Sequence, residues 1–287
     1  MRIAILTDSN SGILNNNDNL YIMNMPVIID NEVYYENENL DTAQFFELLS
    51  SNHSITTSQP SIQNLLDTWD DLLTKYDQIV YIPMSSALSS SYNTGQMLSK
   101  DYDNKVFVVD NRRISINLNH SINEALELVK LGYTAENIKN ILEETADDSV
   151  IYVAVDNLKY LVRGGRVTKR VASIAKITGI KPLLIIKGGK IDSYSNAHGI
   201  KKCKHMLINE IIKYMEKYQN ERCDFVITAS GSLLEKELVD EWLDKIHEKI
   251  PNVDIQYDPL PLSICAHTGE NTYAIGISKK HKFEKLN

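Results

Sequence analysis

The amino-acid sequence predicts an α/β protein built from two domains. Short runs of β-branched and apolar residues alternate with amphipathic segments, which is typical of strands and helices that alternate along a chain. The strand candidates of the first half are almost continuously apolar, which favours strands buried on both faces of a parallel sheet. A hairpin in the second half indicates antiparallel pairing. We therefore expect an N-terminal α/β domain with a parallel sheet over residues 1–148 and a C-terminal α/β domain with antiparallel strands over residues 149–287.

The individual elements follow from these patterns. The strand candidates are residues 2–7, 78–83, 105–109, 150–155, 224–228 and 272–277. The helix candidates carry apolar residues at helical spacing and are residues 42–51, 61–75, 91–102, 117–131 and 134–146. Ser61 and Thr134 are predicted N-caps, because a hydroxyl there accepts a hydrogen bond from a free N–H group of the first turn.

Two glycine pairs mark turns in the second half. Gly188-Gly189 separates two apolar runs and predicts a hairpin, because a type I′ turn needs a positive φ at both central residues. Gly164-Gly165 follows a helical pattern and is typical of a helix C-cap rather than a phosphate-binding loop.

Composition and charge exclude several functional classes. The net charge of -8 argues against general nucleic-acid binding, which needs a cationic surface. No apolar run approaches the roughly 20 residues that span a bilayer, and the N-terminal apolar stretch is too short for a signal peptide. Cys203, Cys223 and Cys265 are widely spaced and odd in number, which fits neither a disulfide framework nor a metal site. We expect a reducing, cytoplasmic setting. No dinucleotide, phosphate-loop or metal-ligand fingerprint is present, so no cofactor or metal is expected.

One segment is strongly basic, although the chain as a whole is acidic. Residues 159–190 carry nine basic residues and no Asp or Glu, and Lys201, Lys202 and Lys204 extend this bias. Two interpretations remain open: a solvated cationic face, or a docking patch for a phosphate, an acidic partner or a membrane surface.

Polar segments follow the predicted strands, at the edge where open α/β sheets usually bind ligands. They are residues 7–9, 56–61, 85–92, Asp110 and residues 266–269. Hydroxyls and free N–H groups at helix N-termini can bind a carboxylate or a phosphate. Capping explains a single serine, but it does not require so many hydroxyls together with a histidine.

The order of these segments resembles the DegV family. The matching motifs are Thr7-Asp8-Ser9, residues 57–61 (Thr-Ser-Gln-Pro-Ser), residues 85–92 (Ser-Ser-Ala-Leu-Ser-Ser-Ser-Tyr), residues 108–110 (Val-Val-Asp), residues 158–161 (Leu-Lys-Tyr-Leu), residues 164–167 (Gly-Gly-Arg-Val), residues 181–184 (Lys-Pro-Leu-Leu) and residues 267–269 (His-Thr-Gly). Each is short, but together they span nearly the whole chain. The resemblance implies a two-domain DegV-like fold with a long-chain fatty acid held between the domains. It also implies that the protein is not an enzyme itself, and that it presents the carboxylate to a separate ATP-binding fatty acid kinase subunit, whose acyl phosphate product feeds phospholipid synthesis.

Transferred to this sequence, the resemblance assigns two groups of residues. The residues expected to bind the fatty-acid carboxylate are Thr57, Ser58, Ser89, Ser91, His267 and Thr268. The residues expected to face the phosphate or the kinase partner are Arg166, His198 and Lys201.

Three positions depart from the family pattern. Serine replaces the usual glycine at Ser90, and Glu270 follows the His-Thr-Gly motif where a proline is usual. His198, with Lys201 nearby, stands where a basic residue is common downstream of the hairpin.

Two other functions remain open. Ser89 as nucleophile, His267 as base and Asp110 or Asp8 as orienting group are the residue types for acyl transfer or ester hydrolysis, although no nucleophile-elbow motif is present. A protein that binds a small anionic metabolite, without an acyl tail, is the third hypothesis.

Overall fold

The computed structural model describes residues 1–14, 16–51, 53–167, 171, 173 and 181–285. The strands are β1 (Ile3–Asp8), β2 (Leu20–Met23), β3 (Val27–Ile29), β4 (Glu32–Tyr34), β5 (Ile55–Thr57), β6 (Gln78–Ile82), β7 (Val106–Val108), β8 (Ser149–Ala154), β9 (Lys181–Lys187), β10 (Lys190–Ala197), β11 (Asp224–Gly231), β12 (Gln256–Pro259) and β13 (Tyr273–Lys280). The α-helices with both ends described are α1 (Thr42–Ser50), α2 (Ile62–Leu73), α3 (Ser91–Leu98), α4 (Ser115–Lys130), α5 (Ala135–Glu144), α6 (Lys159–Gly164), α7 (Ile200–Asn220), α8 (Lys236–Lys249) and α9 (Leu262–Thr268).

The first sheet is parallel, as predicted, with the strand order β2-β1-β6-β7. Every residue of β1 is buried, and successive side chains enter different cores. Ala4 and Leu6 pack with Trp69 of α2, whereas Ile3 and Ile5 belong to the core that contains α4 and α5. Burial on both faces explains why the strand is apolar throughout.

The second sheet has the strand order β10-β9-β8-β13-β11-β12, and only the β11–β12 pair is parallel. Residues of β8 alternate between its faces: Val150 and Tyr152 pack in the core with α7, whereas Ile151 and Val153 point into the core shared with α4. The antiparallel pairing predicted for the second half is therefore confirmed.

Helix α4 lies between the two large sheets. It packs against β1 of the first sheet and against β8 and β13 of the second. One face of the second sheet and one face of the first sheet thus contribute to a single shared core. Asp148 immediately precedes β8, and the domain boundary near it stays a prediction.

A buried ionic cluster joins His281, which follows β13, to helix α4. Arg113 lies 3.7 Å from a carboxylate oxygen of Glu124, and both side chains are almost fully buried. His281 contacts the same carboxylate at 2.7 Å through Nδ1 and Asp148 at 3.2 Å through Nε2. Burial raises the pKa of Glu124, but hydrogen bonds from His120 and His281 and the charge of Arg113 outweigh it and lower this pKa to about 2.

Local predictions are largely confirmed. The hydroxyls of Ser61 and Thr134 accept hydrogen bonds from N–H groups three residues later, at 3.1 and 3.2 Å. Gly165 ends α6 in the left-handed conformation at φ 67°. Gly188 and Gly189 have φ values of 57° and 79° in the hairpin. The helix expected to run to Tyr102 ends as an α-helix at Leu98, and its last turn is 3₁₀.

A third, small antiparallel sheet with the order β4-β3-β5 was not predicted. Its strands have three residues each, too few to show an alternating pattern. In the part of the chain that the structure describes, no helix is long and apolar enough to cross a membrane.

Candidate ligand-binding site

A cavity of about 260 Å³ lies between the two large sheets. Its wall is mostly apolar and comes from both halves of the chain. The aliphatic and Met side chains that line it are Met25, Met84, Leu88, Ile114, Ile116, Ile151, Val153, Leu161, Ile186, Ile191, Leu260, Ile264 and Ala274. The alternation in β8 that sends Ile151 and Val153 inward therefore builds part of this wall.

A hydrogen-bonded polar pair lines the cavity. Oγ1 of Thr57 lies 2.7 Å from Nε2 of His267, across 210 residues of sequence. Thr57 is the last residue of β5, and His267 lies on α9, which packs against both β5 and α6. The small third sheet is thus the element that places Thr57 in the site.

The histidine of this pair is neutral. Burial, and then the charges of Arg166 and Arg163, lower the pKa of His267 to about 4. Its Nδ1 atom is buried and has no hydrogen-bond partner among the described residues. A buried N–H group without an acceptor loses its hydrogen bond to water and gains none in return, which is unfavourable. We therefore assign the single N–H proton of the neutral imidazole to Nε2. Nε2–H then donates to Thr57, and the hydroxyl hydrogen of Thr57 is free to donate to a ligand.

A glycine makes room for the imidazole ring. A Cβ atom on Gly164 would lie 2.1 Å from Nδ1 of His267, far inside the contact distance of two such atoms. Gly164 is in the last turn of α6, where its backbone is helical. Glycine is therefore required here because the imidazole ring lies so close to the backbone, and not because the backbone needs a positive φ.

Serine hydroxyls add further polar groups. Ser89 lines the cavity, and its Oγ lies 2.9 Å from Oγ of Ser91, which is buried behind it. The backbone N–H of Ser91 also donates to Oγ of Ser89, at 3.2 Å. Ser58 lines the cavity while its hydroxyl donates to the Gln59 carbonyl at 2.9 Å. Thr268 lines it too, with its hydroxyl directed at the Ile264 carbonyl.

Arg166 supplies the charge of the site. Among the described lining residues it is the only one with a charged side chain at neutral pH. Its Nε donates to the Leu88 carbonyl at 3.5 Å, and Nη1 donates to the Gly164 carbonyl. The guanidinium therefore brings to this part of the cavity a positive charge that has no ion-pair partner among the described residues, which favours an anion.

His198 and Lys201 lie elsewhere. Both are exposed where β10 leads into α7, and neither is among the described residues that line the cavity. The role expected for them stays a prediction. Three members of the basic segment, Lys169, Arg170 and Lys176, lie outside the described residues.

The residues of the acyl-transfer alternative have other partners. Asp110 accepts hydrogen bonds from the N–H and hydroxyl of Ser86. Asp8 is fully buried and accepts from Asn10 and from the N–H of Met84, and burial raises its pKa. In the described structure no carboxylate orients Nδ1 of His267.

Two departures from the family pattern have little effect on this geometry. Ser90 has φ -77° and ψ -3°, a conformation open to any residue, so the loss of glycine causes no backbone strain. Glu270 is partly exposed and does not line the cavity in the described structure.

Three polar lining residues were missed from the sequence: Asn10, Ser115 and Ser263. Ser263 donates to Oδ1 of Asn10 at 2.8 Å, and both lie on the cavity wall. Ser263 precedes His267 by four residues, which puts both on one face of α9. The four-residue spacing would have pointed to Ser263 if the helix had been predicted. Helix α9 has only seven residues and no clear helical pattern, so the sequence did not predict it. The described residues contain no group of His, Cys, Asp or Glu able to hold a metal ion.

Comparison with known proteins identifies the family. The family model described as "Uncharacterised protein, DegV family" matches residues 2–280. This chain belongs to the DegV family. A DegV domain-containing protein of Clostridium perfringens is 30% identical over 255 residues, which cover 86% of each chain. One from Staphylococcus aureus strain N315 is 26% identical over 285 residues, covering 96% of this chain and 98% of the relative.

Solved DegV structures share the fold over nearly the whole chain. The fatty acid binding DegV family protein of Streptococcus agalactiae superposes with a TM-score of 0.87 at 25% identity, covering 98% of this chain and 100% of the other. A structure described as fatty acid binding of a DegV family protein from Thermus thermophilus gives a TM-score of 0.86 at 22% identity, with the same coverage. These matches confirm the expected two-domain DegV-like α/β fold.

Proposed function

We propose that this DegV protein binds a fatty acid, with the acyl chain in the cavity between the sheets and the carboxylate at the Thr57–His267 end. The observation that carries the proposal is the asymmetry of the cavity. Thr57 and His267 are in direct contact, and Arg166 bonds to the carbonyls of Leu88 and Gly164, beside Ser89 and His267. The rest of the wall is mostly aliphatic, apart from the polar residues Asn10, Ser115 and Ser263. A fatty acid has the same asymmetry, and the solved relatives of this fold are described as fatty acid binding proteins.

The polar end offers what a buried carboxylate requires. A charge removed from water needs hydrogen-bond donors and a counter-charge. Thr57 keeps its hydroxyl hydrogen for the ligand because His267 donates to its oxygen. The hydroxyl of Ser89 is the second donor, and Arg166 provides the counter-charge. Ser58, Ser91 and Thr268 act indirectly, because they position the hydrogen-bond donors and support the cavity wall.

The aliphatic wall stabilises the tail by the hydrophobic effect. Each buried methylene contributes about 0.8 kcal/mol. A small anionic metabolite would leave most of this wall without a partner, so the acyl ligand is favoured over the tail-free alternative.

We further propose that the protein acts in the cytoplasm as a carrier and not as a catalyst, and that it presents the carboxylate to a separate ATP-binding fatty acid kinase subunit. That partner would transfer the terminal phosphoryl group of ATP to a carboxylate oxygen, forming an acyl phosphate that enters phospholipid synthesis. The position of Arg166 beside the proposed carboxylate supports this hypothesis, because a guanidinium can also bind the new phosphate. His198 and Lys201, which are exposed, are proposed contacts for the partner.

The test is denaturing lipid extraction and mass spectrometry of the protein as purified from a bacterial host. Wild type should carry a fatty acid in stoichiometric amount. Ser89→Ala removes a donor to a buried anion, which costs roughly 1–3 kcal/mol, so its affinity should fall about tenfold or more. Ser50→Ala is the matched control, because Ser50 is exposed and, among the described residues, its hydroxyl bonds only to the Glu47 carbonyl of its own helix.

The outcomes separate the three hypotheses. A wild-type protein that is empty and takes up no added fatty acid overturns the proposal and returns the small-metabolite hypothesis. Ester hydrolysis by the wild type that disappears in Ser89→Ala would establish the acyl-transfer alternative instead.

A further inference from the structure

Three buried polar side chains of the cavity wall have no part in the proposed carboxylate site. They are Asn10, Ser115 and Ser263, which are 2%, 7% and 5% exposed. Each is almost fully removed from water, so each needs a hydrogen-bond partner inside the protein or on a ligand.

The side-chain amide of Asn10 is held in one orientation. Its Nδ2 atom lies 2.9 Å from Oδ1 of Asp8 and 3.1 Å from Sδ of Met84. Both atoms are acceptors here, and Oδ1 of Asp8 also accepts from the backbone N–H of Asn10 at 3.0 Å. Two acceptors require the NH₂ group of the amide on that side, so Oδ1 of Asn10 is directed at Ser263.

This orientation leaves Ser263 with an acceptor to offer and no donor. Oδ1 of Asn10 carries no hydrogen, so the Ser263 hydroxyl, at 2.8 Å, donates to it. A serine hydroxyl has one hydrogen and two lone pairs, and the hydrogen of Ser263 is therefore already used. Thr57 is the opposite case, because its oxygen accepts from His267 and its hydrogen is free.

The hydroxyl of Ser115 has no hydrogen-bond partner among the described residues, although the residue is buried and lines the cavity. Ser115 is also the first residue of α4, and the N-cap of this helix, Ile114, makes no side-chain hydrogen bond to the first turn. The start of α4 therefore has hydrogen-bond donors to spare.

The start of α4 is held close to Asn10 and Ser263. The backbone carbonyl of Arg113 accepts from the N–H of Ser85 at 2.9 Å. The residue before Ser85 is Met84, whose sulfur contacts Asn10. Helix α4 also packs against the 3₁₀ turn that carries Asn10. A donor and an acceptor therefore lie near one another in the wall of one cavity.

An acceptor beside a donor is complementary to a hydroxyl group. A hydroxyl can give its hydrogen to Ser263 and accept the hydrogen of Ser115. A carboxylate has no hydrogen to give to Ser263, and a plain hydrocarbon covers both serines without a hydrogen bond to either, which is unfavourable.

We propose that Ser263 and Ser115 form a second polar subsite, which binds a hydroxyl group carried by the acyl chain. The inference rests on the proposed fatty acid binding and adds the ligand subclass, which is hydroxy fatty acids. Ser263 precedes His267 by four residues on one face of α9, which is about one helical turn or about 5.4 Å. The hydroxyl should therefore lie in the half of the chain nearer the carboxylate.

The experiment measures Kd by titration calorimetry for stearic acid and for its monohydroxy derivatives, with the hydroxyl moved stepwise along the chain. Wild type should bind a derivative with its hydroxyl in the carboxyl half about 2- to 10-fold more tightly than stearic acid, the usual effect of one hydrogen bond. Derivatives with the hydroxyl near the methyl end should bind more weakly than stearic acid, because aliphatic side chains offer it no partner.

Two variants locate the subsite. Ser263→Ala and Ser115→Ala each remove one partner of the hydroxyl, so the ratio of the Kd values for stearic acid and the preferred derivative should fall toward one. Ser115→Ala keeps the test decisive if Ser263→Ala folds poorly, because the Ser115 hydroxyl has no described partner to lose. Ser50→Ala, at an exposed position, is the control and should keep the wild-type ratio.

The inference is overturned if no derivative binds more tightly than stearic acid, since the subsite then serves only water. It is also overturned if the preference survives in both serine variants. Either result leaves the proposed fatty acid binding intact. Failure of wild type to bind stearic acid or any derivative overturns the proposed function itself.

Discussion

Replacing Thr57 with Val tests whether the Thr57–His267 pair serves a carboxylate. Valine has nearly the same shape, so the change removes the hydroxyl and little else. Thr57 is the described partner of Nε2 of His267, at 2.7 Å, and its free hydrogen is assigned to the ligand. A hydrogen bond to a charged acceptor contributes about 1.5–3 kcal/mol, so the Kd for a fatty acid should rise about 10- to 100-fold.

The assay compares a fatty acid with its methyl ester in titration calorimetry. The ester lacks the charge, so the hydroxyl should contribute less to its binding. Thr57→Val should therefore lose affinity for the acid and much of its preference over the ester. Thr57→Ser is the matched control, because it keeps the hydroxyl and should keep that preference.

The variant must be shown to be folded. Without Thr57, the buried ring of His267 loses its described hydrogen-bond partner, which costs about 1–3 kcal/mol of stability in the free protein. Urea unfolding measures this cost separately from binding. The reasoning is refuted if a folded Thr57→Val protein binds the acid as tightly as wild type, or if acid and ester lose affinity equally.

Four further predictions follow from neighbouring groups. Gly164→Ala should displace His267 and weaken fatty acid binding tenfold or more, whereas Val162→Ala on the exposed face of the same helix should not, as measured by calorimetry. Arg166→Ala removes the proposed counter-charge of the carboxylate, so the Kd for a fatty acid should rise about tenfold or more. The variant should also slow acyl phosphate formation by the kinase subunit, measured as the acyl hydroxamate formed with hydroxylamine; unchanged fatty acid binding would contradict the counter-charge role. Glu124→Gln leaves the buried Arg113 without its counter-charge and should lower the free energy of unfolding by about 3–5 kcal/mol, measured by urea unfolding. A change within experimental error would contradict the stabilising role of this ionic cluster. The pKa of His267 is about 6.5 in the unfolded chain and about 4 in the folded protein. Between these values the unfolded chain binds more protons, so the free energy of unfolding should fall as the pH drops through this range. The His267→Gln variant should lack that part of the pH dependence.

Local chemistry explains what could be read from the sequence. Ser61, Thr134 and the Gly188-Gly189 turn act through neighbours within a few residues, so their patterns predicted caps and a hairpin that the structure confirms. The apolar runs of β1 and β8 similarly predicted buried strands. The order of short motifs predicted the family, and through it the residues Thr57, Ser89 and His267 as candidates.

Tertiary structure alone decided how those candidates meet. Thr57 and His267 are 210 residues apart, and no local pattern encodes their contact or its hydrogen-bond direction. Gly164 was predicted only to end a helix, yet its missing Cβ makes room for His267. Sequence alone therefore determined the helix caps, the hairpin turn and the long buried strands, because their causes lie within a few residues of chain, but not the three-residue strands of the small third sheet or the short helix α9. The site required the fold, because its distances are set by the packing of distant elements.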